Sequence, residues 1–423
     1  MKIKRSKSLS PEPSSSRDIK RLKFEETSTS RVISPHILEF SDDVLLNILG
    51  YLYPQDLMAV SLCCHRLAQL TQDRTLWRRV DFRTKPMLLN DLNQYIKFLQ
   101  PITMSLAIRG NFVSGNSALT QKFFTNIKTL CNQLKELIIE EYYINGDEIQ
   151  ITDFPSTIEK LSLEGCQVDY LQSNKSYFFK MDLYMPNLTC LILSNCQWFT
   201  PHSLLVISKI PKLKELRLNS CHRLGECVAY ASLATRFGFK TLEILDLRDT
   251  ALGDSEVGCF SSTKTLTHLY LECPSTLRNE ESLEQQFQER RQALQLPIFE
   301  DNNLAQFLID AYAFDNGLQR CLISDRAICA LGSDSCDRKV INSSPQGMII
   351  LQENRRISNN PNLKILVVRN YPRVTNSSLI HLASNASRLE YLDVTGTSVT
   401  KDGIESFKSQ KINVKVVSSF DET

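Results

Sequence analysis

Apolar residues between positions 40 and 77 recur at the spacing of short helices. The first set follows helical intervals of one, three and four residues and comprises Val44, Leu45, Ile48, Leu49 and Leu52. Ser41 stands before it as a predicted N-cap, Pro54 begins a second set, and a third helix is predicted over 65–72. Three helices in about 40 residues make a core too small to cover every apolar face, so docking on a partner would stabilise this segment.

From residue 106 onward the pattern changes to a repeated Leu-x-x-Leu-x-Leu motif. Its central leucines are Leu137, Leu161, Leu191, Leu216, Leu245, Leu269, Leu366 and Leu392. Leu106 marks a degenerate first copy, and Val414-Lys-Val416 predicts a closing strand. With one exception, successive copies are 24 to 31 residues apart. Because leucines alternate with other residues, each copy predicts a short strand, and stacked copies form a parallel sheet with a buried leucine spine.

Short polar side chains follow the last leucine position of five copies by three residues. They are Cys166, Cys196, Cys221, Thr250 and Thr397. Such side chains can bond backbone groups where a strand ends, so a structural role is predicted for these cysteines. Thr200, Thr375 and Thr400 precede apolar residues at helical spacing and are predicted helix N-caps. The predicted fold class is therefore α/β, a curved solenoid with the parallel sheet inside and the helices outside.

The repeat spacing breaks once, in a step of 97 residues from Leu269 to Leu366. Within it, 304–309 predicts a strand and 323–331 a capped helix, together a worn additional repeat. The remaining segments are the charged stretch 280–291, predicted to be helical or disordered, and the polar stretch 332–360. A long insertion in a solenoid is either a functional lid or a tolerated surface loop, and the loop is favoured here.

Residues 1–35 are rich in serine, proline and charge and poor in large apolar side chains, a composition that predicts disorder. Nine basic residues stand against four acidic ones. Lys4-Arg5 and Lys20-Arg21-Leu22-Lys23 resemble a bipartite nuclear import signal, and a solvated basic tail without an address is the alternative. The expected location is the nucleus and cytoplasm.

The composition narrows the function. Forty-nine Lys and Arg against 47 Asp and Glu leave a net charge of +2, which gives no case for a nucleic-acid or membrane partner. No apolar run approaches the roughly 18 residues of a membrane helix, so a soluble intracellular protein is expected. The 13 cysteines show no Cys-x-x-Cys spacing, and no phosphate loop, nucleophile elbow or metalloprotease motif is present. We expect no catalytic residues, no cofactor and no metal.

The segment 40–77 resembles the F-box. The opening Leu-Pro-x-Glu-Ile-Leu-x-x-Ile-Phe-x-x-Leu of that family corresponds to Phe40-Ser-Asp-Asp-Val-Leu-Leu-Asn-Ile-Leu-Gly-Tyr-Leu52. The later Pro-x-Asp-Leu, Cys-x-Arg and Leu-Trp motifs correspond to Pro54-Gln-Asp-Leu57, Cys64-His-Arg66 and Leu76-Trp77. Ser41 and Leu67 replace a usual Pro and Trp. An ordinary helical subdomain is the alternative.

Cysteine-containing leucine-rich repeats after an F-box are typical of the F-box/leucine-rich-repeat family. This resemblance implies a substrate receptor of a Skp1-cullin-F-box (SCF) ubiquitin ligase, with Skp1, a cullin-RING scaffold bound through Skp1 and an unknown protein substrate as partners. It implies Skp1 contacts at Phe40, Val44, Leu45, Ile48, Leu49, Leu52, Pro54, Leu57, Val60, Cys64, Leu76 and Trp77. The predicted domains are a tail over 1–35, an F-box over 36–82 and a solenoid over 83–420 with an insertion at about 275–360.

The residues between the leucines of each motif share the exposed side of the predicted sheet. Arginine and tyrosine are common at binding hot spots, which favours a substrate site at Arg217, Arg248, His268 and Tyr270. Any solenoid face must also be solvated by such residues, so simple solvation is the alternative for each of them.

A second function is compatible with the same sequence, namely a leucine-rich-repeat scaffold or inhibitor without a ligase, whose helical segment only caps the solenoid. The two functions differ at Val44, Leu45, Ile48 and Leu57. A docking face needs these side chains accessible, whereas a cap needs them packed on the first repeats.

Overall fold

The computed structural model describes residues 36–111, 118–171, 176–278, 323–332, 334–344 and 347–421. The predicted tail over 1–35, the charged stretch 280–291 and the predicted strand 304–309 lie outside these residues.

The N-terminal helices confirm the three predicted from the apolar pattern. They are α1 (Asp42–Leu49), α2 (Pro54–Ser61) and α3 (His65–Leu70), followed by a 3-10 helix over Arg74–Trp77. Ser41 occupies the N-cap of α1 without a capping bond from its side chain. The three helices enclose a small core of their own, made of Leu45, Leu49, Leu57 and Leu70.

An eleven-stranded parallel sheet follows and confirms the α/β solenoid. In spatial order, with strands numbered along the chain, it consists of β1 (Arg79–Asp81), β2 (Ser105–Arg109), β4 (Glu136–Glu140), β6 (Lys160–Ser162), β8 (Cys190–Ile192), β9 (Glu215–Arg217), β10 (Ile244–Arg248), β11 (His268–Glu272), β14 (Ile365–Arg369), β15 (Tyr391–Asp393) and β16 (Lys415–Val417). A short parallel ladder beside it contains β3 (Ala118–Leu119), β5 (Tyr143–Asn145) and β7 (Gln167–Asp169).

The central leucines stand in one register across the sheet. Leu137 pairs with Leu161, Leu161 with Leu191, and the series continues to the pair of Leu366 with Leu392. These leucines are fully buried, and each contributes roughly 1.5–3 kcal/mol by burial. β1 adds a strand ahead of the first predicted copy, with Val80 paired to Leu106.

Helices lie behind the sheet on the return segments. They are α4 (Leu89–Ile96), α5 (Gln121–Leu130), α6 (Met181–Tyr184), α7 (Ser203–Ile207), α8 (Val228–Phe237), α9 (Asp254–Phe260), α10 (Asp325–Ala330), α11 (Asn376–Asn385) and α12 (Lys401–Gln410). None of the helices in the described ranges has the length and apolar character needed to cross a membrane.

Two of the three predicted threonine caps are confirmed. The hydroxyl of Thr375 accepts the N–H of Ser377, and that of Thr400 accepts the N–H of Gly403. The prediction for Thr200 was wrong, because a turn precedes α7, His202 takes the cap position, and the Thr200 hydroxyl hydrogen-bonds the His202 ring at 2.7 Å.

β11 pairs directly with β14 over five residue pairs, so the strands on either side of the long break in repeat spacing are neighbours in the sheet. The strand predicted at 304–309 lies outside the described residues, whereas the capped helix predicted over 323–331 is confirmed as α10, with Ser324 as its cap. Between α10 and β14 the chain forms an antiparallel hairpin of β12 (Asp334–Ser344) and β13 (Gly347–Ser358).

The predicted structural role of the cysteines is confirmed. The thiols of Cys166, Cys196 and Cys221 are buried and donate to backbone carbonyls of the preceding repeat, at 3.4, 3.1 and 3.0 Å. Burial raises the pKa of the Cys166 and Cys221 thiols to about 12, so both remain protonated. The hydroxyls of Thr250 and Thr397 likewise donate to carbonyls at the ends of their strands.

Candidate protein-binding surfaces

One side of α1 exposes a line of large apolar side chains. Phe40, Val44, Ile48 and Tyr51, which we call the F-box apolar face, are 38, 40, 41 and 90% exposed. Val44 and Ile48 are four residues apart in α1 and share one side of it, while Phe40 stands just before the helix and Tyr51 just after it. Leu45 and Leu49 lie on the other side, buried against α2 and α3. Covering such side chains is worth roughly 1.5–3 kcal/mol each.

The twelve residues predicted to contact Skp1 are not all on this surface. Three are exposed, namely Phe40, Val44 and Ile48. Four are half-buried, namely Leu52, Val60, Cys64 and Leu76. Five are buried, namely Leu45, Leu49, Pro54, Leu57 and Trp77. Ile37, Tyr51, Tyr53 and Leu62 are also exposed and apolar but were not predicted. Ile37 precedes the motif and the other three stand between its positions, where a pattern of motif residues carries no signal.

Arg66 fixes the chain that leads into α1. Its guanidinium donates to the carbonyl oxygens of Leu38 and Phe40 and forms an ion pair with Asp42 at 2.6 Å. Because the pair is solvated, its own contribution to stability is small. The backbone bonds nevertheless hold Phe40 beside the start of α1. The Cys-x-Arg motif is the sequence signal that identifies this residue.

The helical segment is joined to the solenoid through Trp77. This side chain is buried in the solenoid core and stacks on Phe98 with ring centroids 4.9 Å apart. Its indole N–H donates to the Thr71 carbonyl at 2.9 Å, and its own carbonyl accepts the Thr103 hydroxyl at 2.8 Å. Leu45 and Leu57 do not belong to that core but to the separate core of the three helices.

The structure brings three of the four predicted substrate-binding residues together on the inner face, the side of the sheet away from the helices. The Arg248 guanidinium lies 5.6 Å from the centre of the Tyr270 ring, and the rings of His268 and Tyr270 stack at 6.4 Å. Arg217 lies one strand away and pairs with Glu215 of its own strand. Burial and the charge of Lys364 lower the pKa of His268, so its ring is neutral at pH 7.

Apolar residues extend this group across four adjacent strands. Ile244 is opposite His268, which is opposite Ile365, which is opposite Tyr391. In the next row Tyr270 is opposite Val367. We call the six residues Ile244, His268, Tyr270, Ile365, Val367 and Tyr391 the inner patch. The prediction from the sequence included only two of them, because polar and aromatic residue types guided it and strand neighbours were unknown.

Two buried aspartates hold arginines at the edge of the inner patch. Asp246 accepts from Nε and Nη2 of Arg248 at 2.9 and 2.6 Å. Asp393 accepts from Nε and Nη2 of Arg369 at 2.8 and 2.6 Å. Burial would by itself raise the pKa of Asp393, but hydrogen bonds from Arg369 and Thr395 hold it below its ordinary value. Each arginine is thus fixed by a charged partner beneath it.

No group of His, Cys, Asp and Glu suited to hold a metal ion is found in the part of the chain that the structure describes. The two surfaces above are candidates for binding other proteins because each exposes apolar side chains.

A family model described as F-box-like matches residues 42–83. The leucine-rich-repeat solenoid follows this domain directly, an order of domains that is similar to that of F-box/leucine-rich-repeat proteins. Two curated relatives, the human and mouse proteins named F-box/LRR-repeat protein 12, are each 28% identical to it over 214 residues. The match covers 49% of this chain and 64% of each relative, less than two thirds of their length.

The crystal structure of the Rad7 and Elc1 complex in yeast contains a similar chain. The TM-score is 0.39 at 15% identity, covering 79% of this chain and 72% of that chain. A similarity at this level bears on neither the function nor the partners of the present protein.

Proposed function

We propose that this protein is the substrate-recognition subunit of an SCF ubiquitin ligase. Its F-box docks on Skp1, Skp1 connects it to a cullin-RING scaffold, and the inner face of the solenoid holds a protein for ubiquitination and proteasomal degradation. The receptor itself contributes proximity and orientation to the transfer. The predicted location in nucleus and cytoplasm belongs to the same proposal.

The F-box apolar face is the observation that carries this proposal. Val44 and Ile48 are both about two-fifths exposed, although they stand in a helix that buries Leu45 and Leu49. A contiguous exposed apolar surface of this kind is typical of a protein–protein interface. The F-box-like match over residues 42–83 indicates which kind of partner would cover it.

A scaffold or inhibitor without a ligase is the alternative function. The burial of Trp77 in the solenoid core favours some capping contribution from the helical segment. A cap alone would also pack Val44 and Ile48 on the first repeats, and both are exposed. The receptor function is therefore the better supported of the two.

Changing Val44 and Ile48 together to Asp tests the proposal. Co-purification with Skp1 and a cullin should be lost, because two carboxylates replace apolar area at the centre of the docking face. The circular dichroism spectrum and unfolding midpoint should stay close to those of the wild type. Leu45 and Leu57 are unsuitable positions, because Asp in their buried core would unfold the F-box itself.

Ile380 and Ile412 provide matched controls, since both are exposed isoleucines in the last repeats. Their change to Asp should leave Skp1 binding intact. If the wild-type protein does not retain Skp1, the ligase function is wrong and the scaffold alternative stands. The same purification with the proteasome blocked would identify the bound substrate.

A further inference from the structure

We propose that the inner face between β9 and β15 binds an extended peptide segment in which an aliphatic or aromatic side chain is flanked by carboxylates. This inference rests on the proposed function, because it names the class of segment that the receptor would hold. Three features of this face favour such a segment, namely the charges that point outward, the apolar floor between them and the length of the surface.

In two ion pairs of this region the cation is the outward partner. The side chains of Asp246 and Asp393 are 3 and 0% exposed, whereas those of Arg248 and Arg369, their partners, are 37 and 39% exposed. At these two pairs a ligand approaching from solvent meets the guanidinium group first, while the exposed acids Glu243 and Glu390 stand just before β10 and β15 and pair with lysines. Each arginine donates Nε and Nη2 to its own aspartate. Its Nη1 has no acceptor among the described residues and can donate to a ligand. A carboxylate is the group that such a donor binds most strongly.

The arginines are also positioned in advance. A long flexible side chain usually loses rotamer freedom when it binds, at a cost of about 0.5–1.5 kcal/mol. Here the buried aspartates already fix the guanidinium planes, and Arg248 rests on the face of the Tyr270 ring. The arginine side chains have therefore lost most of their rotamer freedom before a ligand binds. This favours binding of a segment whose carboxylates match the fixed guanidinium groups.

The inner patch supplies the apolar part of the site. Ile244, Ile365 and Tyr391 are half-buried and stand in one row with His268, and Tyr270 stands beside the buried Val367 in the next row. The neutral His268 ring adds no charge that would disturb an apolar contact. Lys415 lies 5.9 Å from the centre of the Tyr391 ring and extends the cationic border to the last strand.

The length of the surface fits a short segment. β9, β10, β11, β14 and β15 are adjacent in the sheet. At about 4.8 Å per strand they span about 19 Å, and an extended chain at about 3.3 Å per residue covers that distance with about six residues.

The first half of the sheet does not offer the same arrangement. Arg83 pairs with Asp81, and Arg109 with Glu141, and in both pairs acid and base are about equally exposed. A ligand there meets both signs of charge together. The preference for carboxylates is therefore expected only between β9 and β15, which makes Arg83 and Arg109 useful controls.

Fluorescence anisotropy of labelled hexapeptides with the full-length protein tests this inference. One peptide carries Asp and Glu around Leu and Phe, a second has Lys at the acidic positions, and a third has the neutral amides Asn and Gln there. We expect the acidic peptide to bind at least about tenfold more tightly than the lysine peptide, with an affinity that falls as salt increases. The variant Tyr270→Ala should bind the acidic peptide more weakly than the wild-type protein does, because part of the apolar floor is removed.

Two paired variants separate binding from folding. Asp246→Asn with Arg248→Gln, and Asp393→Asn with Arg369→Gln, remove the outward cation without leaving a buried carboxylate alone. Each should weaken the acidic peptide about tenfold, while Arg83→Gln should not. Equal or tighter binding of the lysine peptide, equal weakening by Arg83→Gln, or no binding of the acidic peptide would each overturn the inference.

The Skp1 result is independent of this one. The Val44 and Ile48 variant should keep peptide binding, and the paired arginine variants should keep Skp1. Failure of peptide selectivity with Skp1 binding intact contradicts only the substrate class. Failure of Skp1 binding with peptide selectivity intact contradicts only the ligase.

Discussion

At the scale of single residues, seven repeats share one backbone turn although different residue types occupy it. Two residues after the last leucine position the chain adopts a positive φ at Glu141, Gly165, Asn195, Ser220, Asp249, Asn370 and Gly396. For residues other than glycine this conformation costs roughly 1–2 kcal/mol. The packed leucine spine on one side and the side chain three residues after the last leucine on the other impose the same turn on seven different sequences.

The thiols at this turn should be inert in the folded protein. We expect iodoacetamide at pH 8 to label the exposed Cys63 readily and to leave Cys166, Cys196 and Cys221 unmodified, because burial both shields the three and raises their thiol pKa. Peptide mapping by mass spectrometry measures this. In concentrated urea all four should react, and rapid labelling of Cys196 without urea would contradict the hydrogen bonds described here.

The roles of some single residues could be predicted from the sequence, whereas the burial of others could not. The roles of Cys196 and Thr250 could be predicted because a strict offset from the leucines fixes their place. The opposite burial of Val44 and Leu45 could not, since both fit the same helical spacing. Only the docking of α2 and α3 decides which of two neighbouring apolar residues faces the core.

At the scale of elements, the last four helices are linked to one another at their N-termini by hydrogen bonds that involve their caps. The first residue of each helix accepts hydrogen bonds from the N-cap of the next. Asp254 accepts from the backbone and hydroxyl of Ser324, and Asp325 accepts in the same way from Thr375. Asn376 accepts the N–H of Thr400 and donates to its hydroxyl. The series aligns α9, α10, α11 and α12 in consecutive repeats.

Asp325→Ala should destabilise the protein by about 1–2 kcal/mol, the lower range for lost charge-assisted bonds because the carboxylate is partly solvated. Burial would raise the pKa of Asp325, but bonds from Ser378 and Thr375 bring it below its ordinary value. Its contribution is therefore complete above about pH 4, the unfolded pKa, and is lost as pH falls through the folded pKa. Urea unfolding at pH 7 and pH 3 measures this.

Asp402→Ala is the control, because Asp402 is an exposed acid in the first turn of α12. It should cost no more than the roughly 0.3–1 kcal/mol of a helix-dipole contact. If Asp325→Ala lost as much stability between pH 7 and pH 3 as the wild type, the acid-sensitive bond would lie elsewhere.

The elements themselves were largely predictable, because leucine alternation and cap residues are local signals. The repeat that is interrupted between β11 and α10 could not be predicted. The sequence shows a gap between Leu269 and Leu366 and a capped helix inside it. It does not show that β11 and β14 pair across the gap, since a contact between residues so far apart in the chain leaves no periodic trace.

At the scale of the whole molecule, most of the residues between β11 and α10 are additional to the repeat. From the last leucine position to the first helical residue the step is 7 residues from Leu247 to Asp254, but 54 residues from Leu271 to Asp325. Replacing residues 279–322 by an eight-residue Gly-Ser linker should raise the free energy of unfolding by about 1–1.5 kcal/mol, because each halving of a loop lowers its closure cost by about 0.6 kcal/mol.

Urea denaturation of the linker variant measures this, with Leu269→Asp as a reference for real damage to the junction. That change places a carboxylate in the fully buried spine and should cost several kcal/mol. A linker variant as unstable as the Leu269 variant would mean that the replaced residues belong to the core.

The continuous core from Trp77 to the last strand has a mechanical consequence. Eleven strands at about 4.8 Å each make a stiff spacer about 48 Å long, measured along the sheet from β1 to β16. Because Trp77 packs in the solenoid core just ahead of β1, the two candidate binding surfaces keep a set separation along the sheet, about 29 Å from β1 to β10 and about 43 Å from β1 to β15. The number of repeats therefore sets the separation of the two surfaces, and losing one repeat would shorten it by one strand spacing of about 4.8 Å.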